Sequence, residues 1–318
     1  MQHPLIAVTD SVFPSLDPAI AALKHLEPDI RLATSTSEAD ILAVASKADA
    51  VLVTYAKLPA DLLRQLERCK VIGRFGLGVD NIDIKTAAEL GIVVTYVPDY
   101  CLREVSDHAM ALILALARKV VYANALVQVG RWEMKAMVPI HRLKDQILGL
   151  VGFGNIPQLI APKAKAFGLR LLAHDPYVSE ATADAHGVEL VDFDRILEIS
   201  DYISVHTPLT AQTKAMFDGV AFRRMKRGAS FINTARGALV DEAALLQALD
   251  SGHLGGAALD VVAEEPLSGK SPLLGRSNVI LTPHTAFYSV EALVELQTKC
   301  ATDVARVLNG QAPVYPVK

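Results

Sequence analysis

The stretch LVGFGNIPQLIAPKAKAFG, residues 150–168, decides how the rest of the chain is read. An apolar run ends in Gly152 and Gly154, two apart, and an amphipathic segment follows. A strand feeding such a turn into a helix N-terminus offers free N–H groups and the positive end of the helix dipole to a pyrophosphate. The first glycine makes the tight turn, and the second lets backbone approach phosphate. The third small residue of the pattern is expected at 157, where the chain has Pro157. In a helix's first turn the fixed φ of proline is acceptable and its missing N–H is not needed. Pro157 therefore bears on packing more than on phosphate. Pro162 falls in the helix interior, where it removes a hydrogen bond and predicts a kink. A Gly-x-Gly pair alone fits a plain tight turn equally well.

The next apolar run, LRLLAHDP, ends in Asp175, 21 residues after Gly154. The acid that binds the adenosine ribose of a dinucleotide is expected at about 20 residues. A carboxylate there repels a 2′-phosphate, so NAD is favoured over NADP. The competing reading is a surface Asp before a proline turn.

Composition narrows the classes. The chain has 318 residues, 51% hydrophobic and 21% charged, which suits a compact protein of about two domains. Lys and Arg number 31 against 35 Asp and Glu, a formal charge of −4 with no basic stripe, so no nucleic-acid partner is expected. Three widely spaced cysteines, Cys69, Cys101 and Cys300, form neither a disulfide framework nor a metal knuckle. No metal is expected, and a reducing, cytoplasmic compartment fits. The start MQHPLIAVTD reads as a first strand and not a signal peptide. The longest apolar run, AMALILALA at 109–117, is too short for a membrane helix, so no membrane partner is expected.

Short apolar runs alternate with longer amphipathic ones from end to end, the mark of βαβ units and parallel sheets. LIAVTD, AVLVTY, KVIGRFG and IVVTYV read as strands, with helices at 17–27, 37–48 and 59–68, the last with Pro59 in its first turn, and a long helix at 102–120. Further strands fall near 147–152, 169–174, 202–206, 229–233, 256–261 and 279–282, and a final helix at 288–309 ends at Gly310. The fold class is α/β with two domains.

Three chemically useful residues follow strands of the second half: Arg236 after SFINTARG, Glu265 after AALDVVAEEP, and His284 after VILTPH. Open α/β sheets bind ligands at these strand ends. Reducing a 2-oxo acid needs a hydride donor, a proton donor and a cation for the carboxylate. Arginine suits the last task through its permanently charged fork, and histidine suits proton donation. A glutamate on the other ring nitrogen fixes the tautomer. Taken singly, the arginine reads as solvated, the glutamate as a turn residue before Pro266, and the histidine as one of nine.

Beyond these spacings, the chain resembles the D-isomer-specific 2-hydroxyacid dehydrogenases over essentially its whole length. The carrying segments are GRFGLGVDNIDIKTAAELGI, VGFGNI, HTPLTAQTK, MKRGASFINTARGALVDEAAL, GAALDVVAEEPL and NVILTPHTA. VPDYCLREVSDHAMALILALARK, PIHRLKDQILGLVGFGNI and PHTAFYS are similar to the C-terminal-binding-protein-like branch. The resemblance implies two Rossmann-like domains with parallel sheets, the coenzyme domain (101–287) inserted into the substrate domain (1–100 plus 288–318). It implies an active site in the cleft, a small 2-oxo or 2-hydroxy acid as substrate, and a homodimer pairing through the coenzyme domains.

Residue by residue, Arg236 matches the arginine that binds the substrate carboxylate and carbonyl oxygen, Glu265 the acid paired with the catalytic histidine, and His284 that histidine. Leu77 and Gly78 match the loop whose amides hold the carboxylate. Asn155 and Ile156 lie where backbone meets pyrophosphate, and Asp175 matches the ribose acid. His206, Thr207, Pro208 and Thr213 flank the adenosine side, Thr234 and Ala235 line the coenzyme, and Asp260 matches the residue bonded to the nicotinamide carboxamide.

Two departures, Pro157 and an Asn155 where the family often has arginine, are expected to weaken NAD binding without abolishing it. Glu265 is not the Gln of the formate dehydrogenases, and Leu77 is not the Lys of the phosphite dehydrogenases. Tyr55, Leu77, Trp132, Met134 and Tyr288 read either as pocket lining or as core and interface, so glyoxylate, hydroxypyruvate, pyruvate, phosphohydroxypyruvate and branched 2-oxo acids all stay open. The expected activity is hydride transfer between NAD and C2 of such an acid. The alternative is an NADH-sensing binding protein of the corepressor type.

Overall fold

The computed structural model describes residues 3–317; Met1, Gln2 and Lys318 lie outside them. The chain forms two compact units, one from the chain up to Cys101 together with that from Ser289 onward, the other Leu102–Tyr288.

The first unit holds β1 (Leu5–Val8), β2 (Asp29–Leu32), β3 (Ala50–Val53), β4 (Val71–Arg74) and β5 (Val93–Thr95), in the order β2-β1-β3-β4-β5 and parallel throughout. Helices α1 (Asp17–Leu23), α2 (Glu38–Ala45), α3 (Ala60–Leu63) and α4 (Ile84–Glu89) connect them. β3 and β4 are buried along their whole length, which is why β3 reads as an unbroken apolar run; β4 ends in a charged residue, Arg74, that is itself buried. β2 escapes a sequence reading because Asp29 and Arg31 interrupt it on an exposed edge. α3 is shorter than the 59–68 pattern predicts. Pro59 is its extended N-cap, and past Leu63 the amides of Gln65 and Leu66 make tight three-residue turns back to Leu62 and Leu63. The final helix (Val290–Leu308) begins at Ser289, whose side chain caps it, and packs on α1 and β4. Its approach requires Gly73, where a Cβ would stand 2.6 Å from Val304 Cγ2.

The second unit opens with α5 (Leu102–Arg118) and α6 (Val120–Gln128). The sequence pattern predicts one helix over 102–120. Instead Lys119 takes φ +51 and the two helices meet at 62°. Next come β6 (Ile147–Val151), α7 (Asn155–Ala166), β7 (Arg170–His174), α8 (Glu180–Ala185), β8 (Glu189–Leu190), α9 (Phe193–Ile199) and β9 (Tyr202–Val205). The unit closes with α10 (Gly219–Arg224), β10 (Ser230–Asn233), α11 (Glu242–Asp250), β11 (Gly256–Leu259) and β12 (Val279–Leu281). The sheet is parallel, ordered β12-β11-β10-β9-β6-β7-β8, so the strand order reverses between β6 and β9. Its core on one face centres on Phe217, Phe222 and Phe231.

Register then aligns the strand ends. Val151 is level with His174 and Val205, Val205 with Asn233, Asn233 with Leu259, and Leu259 with Leu281. Loops leaving these residues therefore emerge along one edge, where such sheets bind ligands. Among the described residues no single helix is long and apolar enough to cross a membrane.

Candidate active site

The glycine loop follows β6 at the reversal point. Gly152 has φ +89, and a Cβ there would stand 2.8 Å from the carbonyl of His206, so no other residue fits. Its amide donates to His174 O at 2.9 Å, which wedges the loop between the ends of β7 and β9. Beyond Gly154 the situation is opposite: a Cβ would meet nothing within 4 Å. Gly154 is the N-cap of α7 with no side-chain cap, so the amides of Asn155 and Ile156 lead an exposed helix end. Pro157 is buried in the first turn. Pro162 lies on the exposed side of α7, and the helix runs on through it to Ala166 although the proline offers the Gln158 carbonyl no amide.

Asp175 closes the loop from β7. Its Oδ2 accepts from Phe153 N and its Oδ1 from Tyr177 N, both at 2.8 Å. After β9, His206 Nε2 lies 2.8 Å from Ser204 Oγ, and burial lowers its pKa to about 3, so it stays neutral. The following loop is tied by Thr213 Oγ1 donating to Pro208 O at 2.7 Å, with Thr207 half-buried before it.

Asn233, fully buried at the end of β10, shapes the next turn. Its Oδ1 accepts from Ala235 N at 2.9 Å and its Nδ2 donates to Arg236 O at 2.8 Å. Arg236 Nη1 donates to Ala235 O at 2.8 Å. Gly237 admits the neighbouring segment so closely that a Cβ would stand 1.9 Å from Val262 O. Thr234 Oγ1 is buried without a hydrogen-bond partner. An orphaned hydroxyl, a glycine with no room for a Cβ and a second one opening on free space together fit a dinucleotide lying along these strand ends.

His284 and Glu265 meet beyond β12. His284 Nδ1 is 2.7 Å from Glu265 Oε2, and Glu265 Oε1 accepts from Val262 N at 3.1 Å. Burial raises the Glu265 pKa, but the hydrogen bond and charge of His284, the Val262 amide and the Arg236 charge outweigh it, leaving it below its ordinary 4.5. His284 has φ +52, a left-handed conformation that costs a non-glycine residue about 1–2 kcal/mol. Asp260, 2% exposed, holds it there. Its carbonyl accepts the His284 amide at 2.8 Å, Oδ1 accepts Thr285 N at 2.9 Å and Oδ2 accepts Ala286 N at 3.0 Å.

The second unit thus gathers the glycine loop, Asp175, His206, Thr234 to Arg236, Asp260, Glu265 and His284 on one sheet edge. Leu77 and Gly78 belong to the first unit, in a loop after β4 that Asn81 ties to Ala56 O at 2.9 Å. Asn233 and Gly237 were not legible as site residues, since their roles depend on a turn geometry that no spacing encodes. Among the described residues no cluster of three His, Cys, Asp or Glu side chains is placed to hold a metal.

Residues 110–286, more than half of the chain, match the D-isomer specific 2-hydroxyacid dehydrogenase, NAD binding domain. The chain belongs to this family, and the matched residues of its second unit are the family's NAD binding domain. The D-3-phosphoglycerate dehydrogenase of Archaeoglobus fulgidus is 38% identical over 298 residues, 93% of this chain and 56% of that protein. The chain spans about half the length of the curated relatives it matches. Among solved structures, a Thermus thermophilus protein has TM-score 0.89 at 32% identity, covering 98% of this chain and 99% of its own. The D-lactate dehydrogenase of Aquifex aeolicus, complexed with NAD and lactic acid, has TM-score 0.86 at 29% identity over 96% of each chain.

Proposed function

We propose that this protein is an NAD-dependent oxidoreductase that passes a hydride between the nicotinamide and C2 of a small 2-oxo or D-2-hydroxy acid. The observation that carries the reading is the 2.7 Å His284–Glu265 pair on the same sheet edge as the glycine loop and Arg236. Bound NADH supplies the hydride. Glu265 engages His284 Nδ1, and Nε2 is assigned the transfer of a proton to the substrate's carbonyl oxygen. The carboxylate of Glu265 stabilises the charged imidazole before that transfer. Arg236 takes the substrate carboxylate in its fork, and the amides of Leu77 and Gly78 remain the proposed further contacts. In the oxidation direction the same groups run in reverse.

The names of the curated relatives and the NAD complex of the lactate dehydrogenase support the enzyme over the sensor. Partner assignments follow. A homodimer through the coenzyme unit is supported by the apolar surface of α6 and the segment beyond it, where Trp132 is 88% and Met134 77% exposed. Three buried cysteines outside any disulfide suit a reducing cytoplasm.

The test is calorimetric titration with NADH and with NADPH, followed by a 2-oxo acid screen read by NADH absorbance. Micromolar NADH binding with turnover of at least one 2-oxo acid is the expected result. Tight NADH binding with no turnover, and an NADH-dependent protein partner in its place, would move the reading to the sensor.

A further inference from the structure

We propose that His108 is a positioning residue for His284, acting through Thr282 and Asp260; this rests on the reading of His284 as proton donor. His108 comes from α5, far from the catalytic segments in sequence, and its side chain is 24% exposed. Its Nε2 lies 3.0 Å from Thr282 Oγ1 and 3.6 Å from Asp260 Oδ1.

The direction of each hydrogen bond follows from the hydrogens available. Thr282 has one hydroxyl hydrogen and donates it to Asp260 Oδ1 at 2.6 Å. The same oxygen must therefore face the imidazole as acceptor, so His108 Nε2 carries a hydrogen and donates it. That fixes the tautomer of His108 as well as the rotamer of Thr282.

Everything downstream of Asp260 is the loop that presents His284. The acid accepts the amides of Thr285 and Ala286 through its side chain and that of His284 through its carbonyl. The loop is gripped on both sides of a residue held at φ +52. Removing the His108 donor frees the Thr282 hydroxyl to turn away from Asp260, which loses one of its three side-chain donors. The loop then relaxes, and the imidazole leaves the 2.7 Å contact with Glu265. His108 touches neither reacting atom in this account; it acts only by keeping the proton donor in place.

The experiment compares wild type with His108→Leu, Thr282→Val and His108→Gln. The glutamine amide can place a donor near the position of the imidazole Nε2. Two readouts are taken: steady-state reduction of the best 2-oxo acid together with NADH affinity, and amide hydrogen exchange of residues 282–288 by mass spectrometry. His108→Leu and Thr282→Val should lower kcat about 10- to 100-fold with a much smaller loss of NADH affinity, and should speed exchange of the loop. His108→Gln should recover most of both. Wild-type exchange in His108→Leu, a loss confined to NADH affinity, or a glutamine variant as impaired as the leucine one would each overturn the proposal. If the wild type reduces no 2-oxo acid, the functional reading fails, and the exchange comparison alone decides whether His108 holds the loop.

Discussion

Nδ1 of His284 lies 2.7 Å from Oε2 of Glu265, and it does so with its own backbone in the left-handed region. A histidine whose Nδ1 meets a carboxylate and whose backbone is held in a strained conformation is an aimed group, and the proposed mechanism works through its Nε2. Replacing His284 with Ala should lower kcat by about 10²–10⁴-fold while NADH affinity stays within a small factor. Stopped-flow reduction and NADH fluorescence check this, and a variant with near-normal kcat ends the assignment.

Glu265 has its pKa lowered, so it is ionised throughout the neutral range. A lowered folded value adds stability above the unfolded pKa, and this is lost as pH falls through the folded one. Glu265→Gln should reduce both kcat and thermal stability at neutral pH, and the two proteins should converge in melting temperature well below pH 4.5. Melting curves that stay equally far apart at every pH would show that its charge is not what matters.

Much of this was legible in the sequence, and the reason is register. Each strand end that carries a site residue is an apolar run broken by Gly, Asp, Thr or His, and a parallel sheet places such breaks side by side. Less legible were the features that sequence neighbours do not determine. Lys119 ends a helix whose apolar pattern continues past it. β2 hides behind its charges, and β8 is only two residues long. His108 meets Thr282 across 174 residues, and no local spacing announces that contact.

Asp175 is both a proposed ribose ligand and the clasp of the glycine loop. Asp175→Ala should therefore narrow the preference for NADH over NADPH and also lower stability, since two backbone amides lose a charged acceptor worth about 1.5–3 kcal/mol each. Calorimetry with both coenzymes and a denaturant melt separate the two effects. A variant that keeps full discrimination excludes Asp175 as the reader of the 2′ position.

Asn155 stands first in α7, exposed, beside the uncapped amides. Asn155→Arg should tighten NADH binding several-fold at low salt, and the gain should shrink as ionic strength rises. An unchanged affinity at every salt concentration would place the pyrophosphate elsewhere.

Gly237→Ala asks the Val262 carbonyl to move away from a Cβ that would stand 1.9 Å from it. Because Val262 also donates to Glu265, the displacement should cost about 1–3 kcal/mol and impair turnover together. A variant that melts and turns over like wild type would show that this segment yields freely.

The final helix bears on the order in which the protein can be completed. Cys300 and Val304 crowd over Gly73 of β4, yet they are synthesised only after the whole of the second unit. On a ribosome the coenzyme unit can close around its own core first, because its contacts lie between Leu102 and Tyr288. The five strands made before it must wait for the helix that follows the second unit, with one face of β4 uncovered. The unit begun before the coenzyme unit is thus completed after it, and its β4 stays partly uncovered for as long as the intervening residues take to translate.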